Sequence, residues 1–384
     1  MMTRTLIAAA LVAFLAAPAP AQEKVDREYG DLVHYLDDDG NVQKLKGVRV
    51  DSATYEKVMY TNRGSHSKGE KEGSRVLSVS YGDAPRIFQT ATVALTRQQY
   101  QKAAEDFEGS KAAVEAGIVR TWLLEYAAVK KGTALAALGE SEPLHLADAV
   151  NEFKAALKEN PKSILFDEIQ LGLVKCHSLL KQWDLAKAAA EALTRTGESI
   201  KQPIWTILGQ RTEADALLHQ EKYIEAVSAF ENLVSSARRE LKWAKGDLQQ
   251  TAIAKQEIEA AVAQGWAKVA MAENSGSASD WKKARQYFEG LPSKSDTYRG
   301  SDEVAAAVLN GIGRCLLDTD PRAALMNFTQ AEVAHFTARN EVARALYLKA
   351  LALQKLGGSR NRRMAEQAQK DLREFYPGSE WARK

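Results

Sequence analysis

The six histidines, His34, His66, His145, His177, His219 and His335, are the side chains best suited to hold a metal or move a proton near neutral pH. No two stand four residues apart, so no helix can present a pair of imidazoles to one ion, and neither HExxH nor CxxC occurs. "DDDGN" at 37–41 gathers carboxylates in a turn. A calcium loop needs its glycine in sixth place and a glutamate in twelfth, and neither is there, so the stretch reads as a hairpin turn. The glycine patterns that cradle phosphates or raise a nucleophilic serine, GxGxxG, the Walker loop and GxSxG, are missing. The residues therefore point to no catalytic site, no cofactor and no metal.

Aromatic and charged side chains remain. Trp205, Trp243, Trp266 and Trp281 could form a platform for a ligand, but at helical spacing such residues are expected in a core. "GGSRNRR" at 357–363 reads as a basic loop between helices, a solvated segment able to meet an anionic polymer or lipid. A formal net charge of +2 over 384 residues gives no basic excess for nucleic acid. An apolar content of 45% excludes a disordered chain.

The elements that must position these residues divide the chain in four. Arg4, an apolar run from Leu6 to about Ala17 and the small residues Ala19-Pro20-Ala21 have the form of a cleaved signal peptide, residues 1–21. The run is shorter than the roughly 20 residues that span a bilayer, and no cysteine stands at the cleavage site to take a lipid. The expected compartment is periplasmic or extracellular, with no transmembrane segment after cleavage. Residues 22–30 are polar and read as a flexible terminus. From 31 to 84 the apolar period is two. "LVHYL" (32–36), "VQKLKGVRV" (42–50), "YEKVMYT" (55–61) and "RVLSVSY" (75–81) read as strands of a small antiparallel β-domain, with Gly47 at a bend or bulge and 62–74 a mobile polar loop. In strand spacing this stretch resembles an SH3-like or Sm-like barrel.

From 85 to 384 the period is helical. "LADAVNEFKAALKENP" (146–161) places Leu146, Ala149, Phe153 and Ala156 on one face and stops at Pro161. The spacing returns as Tyr100/Ala103/Phe107, Trp183/Ala186/Ala190/Leu193, Tyr223/Ala226/Phe230/Leu233, Trp281/Ala284/Phe288/Leu291, Pro321/Ala324/Phe328/Ala331 and, degenerately, Ala365/Ala368/Leu372/Pro377. Copies lie roughly 35 to 58 residues apart, each after a helix with small residues near its centre.

This pattern resembles the tetratricopeptide repeat (TPR). The resemblance implies a mainly α fold, an α-solenoid of about six to seven helix pairs that acts as a protein-binding scaffold and not as an enzyme. Alignment on the repeat turns Lys175, Arg211, Asp215, His219, Arg344 and Tyr347 toward the groove in which such repeats hold a partner protein or peptide. "FYPGSEWA" (375–382) resembles the repeat ends of periplasmic assembly and cell-division coordinators. The leading expectation is thus a bacterial envelope scaffold. The alternative is an envelope adaptor that binds cell-wall or surface polymer through the β-domain and recruits proteins through the repeats. Cys176 and Cys315 fall at the small position facing the partner helix, which predicts two buried, unpaired thiols.

Overall fold

The computed structural model describes residues 29–117 and 119–384. The signal segment 1–21 and all but the last two residues of the polar terminus 22–30 lie outside them.

Five strands come first: β1 (Asp31–Leu36), β2 (Val42–Ala53), β3 (Lys57–Asn62), β4 (Lys68–Glu72) and β5 (Val76–Ser80). They form one antiparallel sheet in the order β4-β3-β2-β1-β5. The turn at 37–41 closes on its own side chain: Asp37 accepts the backbone N–H of Asp39 at 3.1 Å and of Asn41 at 2.8 Å. At Gly47, φ is +69°, and the β1–β2 register slips between the pairs Asp31–Val48 and Val33–Leu45. A bulge at glycine bends β2 there.

One expectation needs correction. The polar stretch 62–74 is not a loop throughout, because Lys68–Glu72 pairs with β3 as an edge strand. Its Lys and Glu residues hide it from an alternation-based reading, and the same charges suit a sheet edge that no further strand should join.

Fourteen α-helices follow among the described residues. They are α1 (Arg86–Thr96), α2 (Tyr100–Glu115), α3 (Trp122–Leu138), α4 (His145–Glu159), α5 (Phe166–Leu179), α6 (Trp183–Ser199) and α7 (Pro203–His219). Then come α8 (Tyr223–Leu241), α9 (Asp247–Ser275), α10 (Ala278–Gly290), α11 (Asp302–Leu316), α12 (Pro321–Ala334), α13 (Arg339–Leu356) and α14 (Ser359–Phe375). The fold is a helical-repeat array behind a small antiparallel sheet. The basic stretch 357–363 is only partly a loop: Gly357 and Gly358, both at positive φ, break the chain, and the arginines lie in the first turns of α14.

Four of the turns between helices share one device. Gln98, Lys181, Lys201 and Glu221 take left-handed φ values of 54° to 60°. In each case the next N–H reaches back five residues, from Gln99 to Ala94 (2.9 Å), Gln182 to His177 (2.8 Å), Gln202 to Gly197 (2.8 Å) and Lys222 to Leu217 (3.0 Å). This is the Schellman closure, built here without glycine. After Gln98, Lys181 and Glu221 it delivers the chain to the aromatic residue that opens the next helix.

The repeat positions form the core. Ala149, Phe153, Ala186 and Phe230 are fully buried, as are Phe107, Phe288 and Phe328. The rings lie against glycine backbone: Phe153 of α4 between Gly132 of α3 and Gly172 of α5, and Phe288 of α10 between Gly265 of α9 and Gly311 of α11. A Cβ at Gly265 would stand 2.5 Å from Phe288 Cζ, which no packed core allows. The small residue at the helix centre is thus the seat of an aromatic ring.

The chain divides into two compact units. One comprises the described residues of Met1–Ala216 with Glu240–Ile253, and the other Leu217–Arg239 with Ala254–Lys384. In the first, the sheet and the early helices share a core: Val33, Val48, Val58 and Val76 pack with Tyr126 of α3 and Ile164. Among the described residues no helix is long and apolar enough to cross a membrane.

Candidate functional site

The first unit holds three of the six groove residues read from the sequence. Lys175 on α5 is ion-paired with Glu140. Arg211 and Asp215 stand one turn apart on α7, at 3.8 Å. His219, Arg344 and Tyr347 belong to the second unit.

Two polar seams fasten the sheet of the first unit to its helices. Asp31, buried at the start of β1, accepts hydrogen bonds from the N–H groups of Val50 (2.7 Å) and Gly82 (2.9 Å) and from both terminal nitrogens of Arg120 (2.8 and 2.9 Å). Arg120 also grips Asp83 at 2.7 and 2.9 Å. Burial alone would raise the Asp83 carboxyl pKa, but the Arg120 hydrogen bonds and charge outweigh it and hold the group below its ordinary value. In the second seam, Glu125 of α3 accepts hydrogen bonds from Ser163 and from Asn160 (3.0 Å), and Asn160 also donates to the Ala53 carbonyl (3.2 Å). Burial raises the Glu125 carboxyl above its usual range, against the pull of those two donors. Both seams tie the sheet to the helices.

The second unit carries a denser arrangement. The Arg344 guanidinium lies 4.0 Å over the ring of Trp266 on α9 and 4.9 Å from that of Trp381. Its charge is met by Glu341, one turn earlier on α13. The Glu341 carboxylate also accepts from Asn310 of α11 at 2.9 Å. Tyr347 meets Trp381 with ring centroids 5.4 Å apart, and the Lys384 ammonium caps Trp381 at 4.0 Å. Two donors in this stack, Arg344 Nε and Trp266 Nε1, are buried and donate to nothing.

Local sequence explains the return of the chain after α14. α14 ends at Phe375, Pro377 and Gly378 turn the chain, and Ser379 caps a short 3₁₀ turn, Glu380–Arg383, by accepting from the Ala382 N–H at 3.2 Å. That turn places Trp381 on α13 beside Tyr347. Beside its root, Phe336, Thr337, Arg339, Phe375 and Tyr376 line an open depression.

Arg344 and Tyr347 are thus brought together beside Trp381, a neighbour the repeat alignment does not supply. The sequence signal for that neighbour was a tryptophan after Pro-Gly that no helical register requires. The four tryptophans read as core do not behave alike: Trp205 is buried and Trp266 is half-buried under Arg344. Trp281 is half-buried beside Arg314 at 5.0 Å. Trp243 is 78% exposed, because it falls in the turn after α8 and outside any repeat register. Cys176 is fully buried. Cys315 is only half-buried, a departure from expectation at the last turn of α11. Both are free thiols whose pKa burial raises to about 11. Arg360, Arg362 and Arg363 are exposed on the first turns of α14. Among the described residues, no group of three or more His, Cys, Asp or Glu is placed to hold a metal ion.

No family model matches the chain, and no curated protein matches it. Among solved structures the chain is similar to the apo form of RapI, with a TM-score of 0.46, 11% sequence identity and coverage of 77% of each chain.

Proposed function

We propose that this chain is a non-enzymatic interaction scaffold of a bacterial cell envelope. It is exported on residues 1–21 and binds a partner protein or peptide through the helix-pair surfaces that carry Lys175, Arg211, Asp215, His219, Arg344 and Tyr347. The observation that carries this reading is the recurrent seating of a helix phenylalanine on glycines of the helices before and after it, at Phe153 and again at Phe288. Helices that repeat one packing solution build an extended surface from units that cannot stand alone, and such surfaces serve recognition. The TPR-like spacing of the sequence supports the same reading. Mixed charge at Lys175, Arg211 and Asp215 suits a polar peptide.

Two measurements test it. N-terminal sequencing of the chain purified from the producing cell should begin at Gln22, in the envelope fraction; an intact Met1 in the cytoplasm refutes the export half. Affinity capture from envelope extract should recover a defined protein with the wild-type chain and lose it with Lys175→Glu/Arg211→Glu. Equal recovery by both refutes the assignment of that surface.

A further inference from the structure

We propose that the depression lined by Phe336, Thr337, Arg339, Phe375 and Tyr376 is a binding site for a partner segment that presents an apolar side chain beside a carboxylate. The site uses none of the six residues of the proposed partner surface and goes beyond that reading. All five residues belong to the second unit.

Backbone and side-chain contacts hold the walls in place. Phe336 stands in the connector between α12 and α13, and both of its neighbours are tied down. His335 Nδ1 lies 3.0 Å from the carboxylate of Asp302 at the start of α11, and Thr337 donates to the same carboxylate. The Ala338 N–H closes on the His335 carbonyl at 3.0 Å. A connector held on both sides presents Phe336 outward, 71% exposed. Phe375, the last residue of α14, is 58% exposed. Tyr376 is half-buried and packs against the cluster of Val342, Leu346 and Leu372. Two phenylalanine rings thus stand in water on walls that other contacts fix.

The charge at the site calls for an acid. Arg339 is the one charged residue among the five, and among the described residues it forms no ion pair. Its guanidinium carbon lies 5.6 Å from the ring centroid of Tyr376. A guanidinium set beside an aromatic face keeps its N–H donors for a further partner. Arg339 also opens α13, whose N-cap Ala338 supplies no side-chain acceptor. The N–H groups of that first turn add to the positive potential. Covering the exposed rings with an apolar side chain removes them from water, and a carboxylate meets the unpaired cation. A ligand with the two groups on adjacent residues does both. Concave walls and a single cation suit a side chain projecting from a peptide, whereas a bilayer surface offers charge without such a projection.

The probes are capped dipeptides titrated into the whole chain by saturation-transfer NMR: Ac-Asp-Phe-NH2, Ac-Asn-Phe-NH2, Ac-Lys-Phe-NH2 and Ac-Asp-Ala-NH2. Ac-Asp-Phe-NH2 should bind best. Ac-Asn-Phe-NH2 should be weaker by about two- to fivefold, the worth of an exposed ion pair. Ac-Asp-Ala-NH2 should be weaker by about tenfold, and Phe336→Ala should weaken Ac-Asp-Phe-NH2 to a similar degree. Arg339→Glu should reverse the order and prefer Ac-Lys-Phe-NH2. An acid is favoured at the start of a helix and Phe336 is exposed, so both variants should fold, and circular dichroism melts check that they do. A reversed charge preference is a result that damage to the fold does not produce.

Equal binding of Ac-Asp-Phe-NH2 and Ac-Asn-Phe-NH2 by wild type overturns the role of Arg339 and with it the ligand class. Full binding by Phe336→Ala, or no binding of any dipeptide to wild type, overturns the site. Sedimentation with phosphatidylglycerol vesicles that Phe336→Ala abolishes, without dipeptide binding, assigns the patch to a lipid surface and refutes the proposal. A dimer that Phe336→Ala dissolves, again without dipeptide binding, assigns it to a second copy and refutes it likewise. Failure of the dipeptide test with capture by the Lys175/Arg211 surface intact removes this inference alone.

Discussion

Phe153 of α4 rests on the bare backbone of Gly172 in α5, so that the ring occupies the space a side chain at 172 would need. The same ring meets Gly132 of α3 on its other side, where a Cβ would lie 3.0 Å away. Three consecutive helices are thus keyed by one aromatic residue and two glycines. Gly172→Ala should lower stability by about 1–3 kcal/mol through overpacking, although alanine is the better helix former by about 1 kcal/mol. Gly290, with open space around it, is the control and should tolerate alanine without loss. Urea unfolding of both variants decides the matter, and an unchanged midpoint for Gly172→Ala would falsify the packing.

Lys181 holds the left-handed position of a Schellman turn at φ 57° without being glycine. Lys181→Gly should relieve roughly 1 kcal/mol of local strain, against a smaller entropic loss in the unfolded chain. A rise in melting temperature is expected. A fall would mean that the lysine side chain makes contacts that outweigh its backbone strain.

The Arg120–Asp83 pair predicts a pH dependence. Arg120 holds the folded-state pKa of Asp83 below its unfolded value, so its contribution is complete above the unfolded value of about 4 and fades as pH falls through the folded one. Asp83→Asn should cost about 1.5–3 kcal/mol at pH 7, the range for hydrogen bonds to charged groups. The gap between wild type and variant should be flat from about pH 7 to 5 and close at lower pH. Urea titrations at a series of pH values measure it, and a gap that widens in acid would reverse the assignment.

The thiols should separate by exposure. Burial raises both pKa values to about 11, leaving little thiolate at neutral pH. Cys176, fully buried, should react with iodoacetamide only on unfolding, whereas half-buried Cys315 should label slowly in the native chain. Mass spectrometry of native and denatured samples reads both sites. Rapid native labelling of Cys176 would show that α5 is misplaced.

The helical array was legible because its determinants are local and repeated. Leu146, Ala149, Phe153 and Ala156 lie on one face by spacing alone, and the alanine, phenylalanine and leucine positions of the copies are buried, whereas the aromatic residues that open them, Tyr100, Trp183, Tyr223 and Trp281, are half-buried. The strands before it were legible where apolar residues alternate, and Lys68–Glu72 escaped because an edge strand needs backbone partners and no apolar face. Sequence also marked Arg344 and Tyr347 as surface candidates. Contacts between distant residues were decided only in three dimensions. Arg120 meets Asp31 across 89 positions, and Trp381 lands on Arg344 only because α14 turns back at Pro377 and Gly378. Spacing within a helix is set by its own pitch, whereas the approach of Trp381 to a cation on α13 depends on how the intervening elements pack.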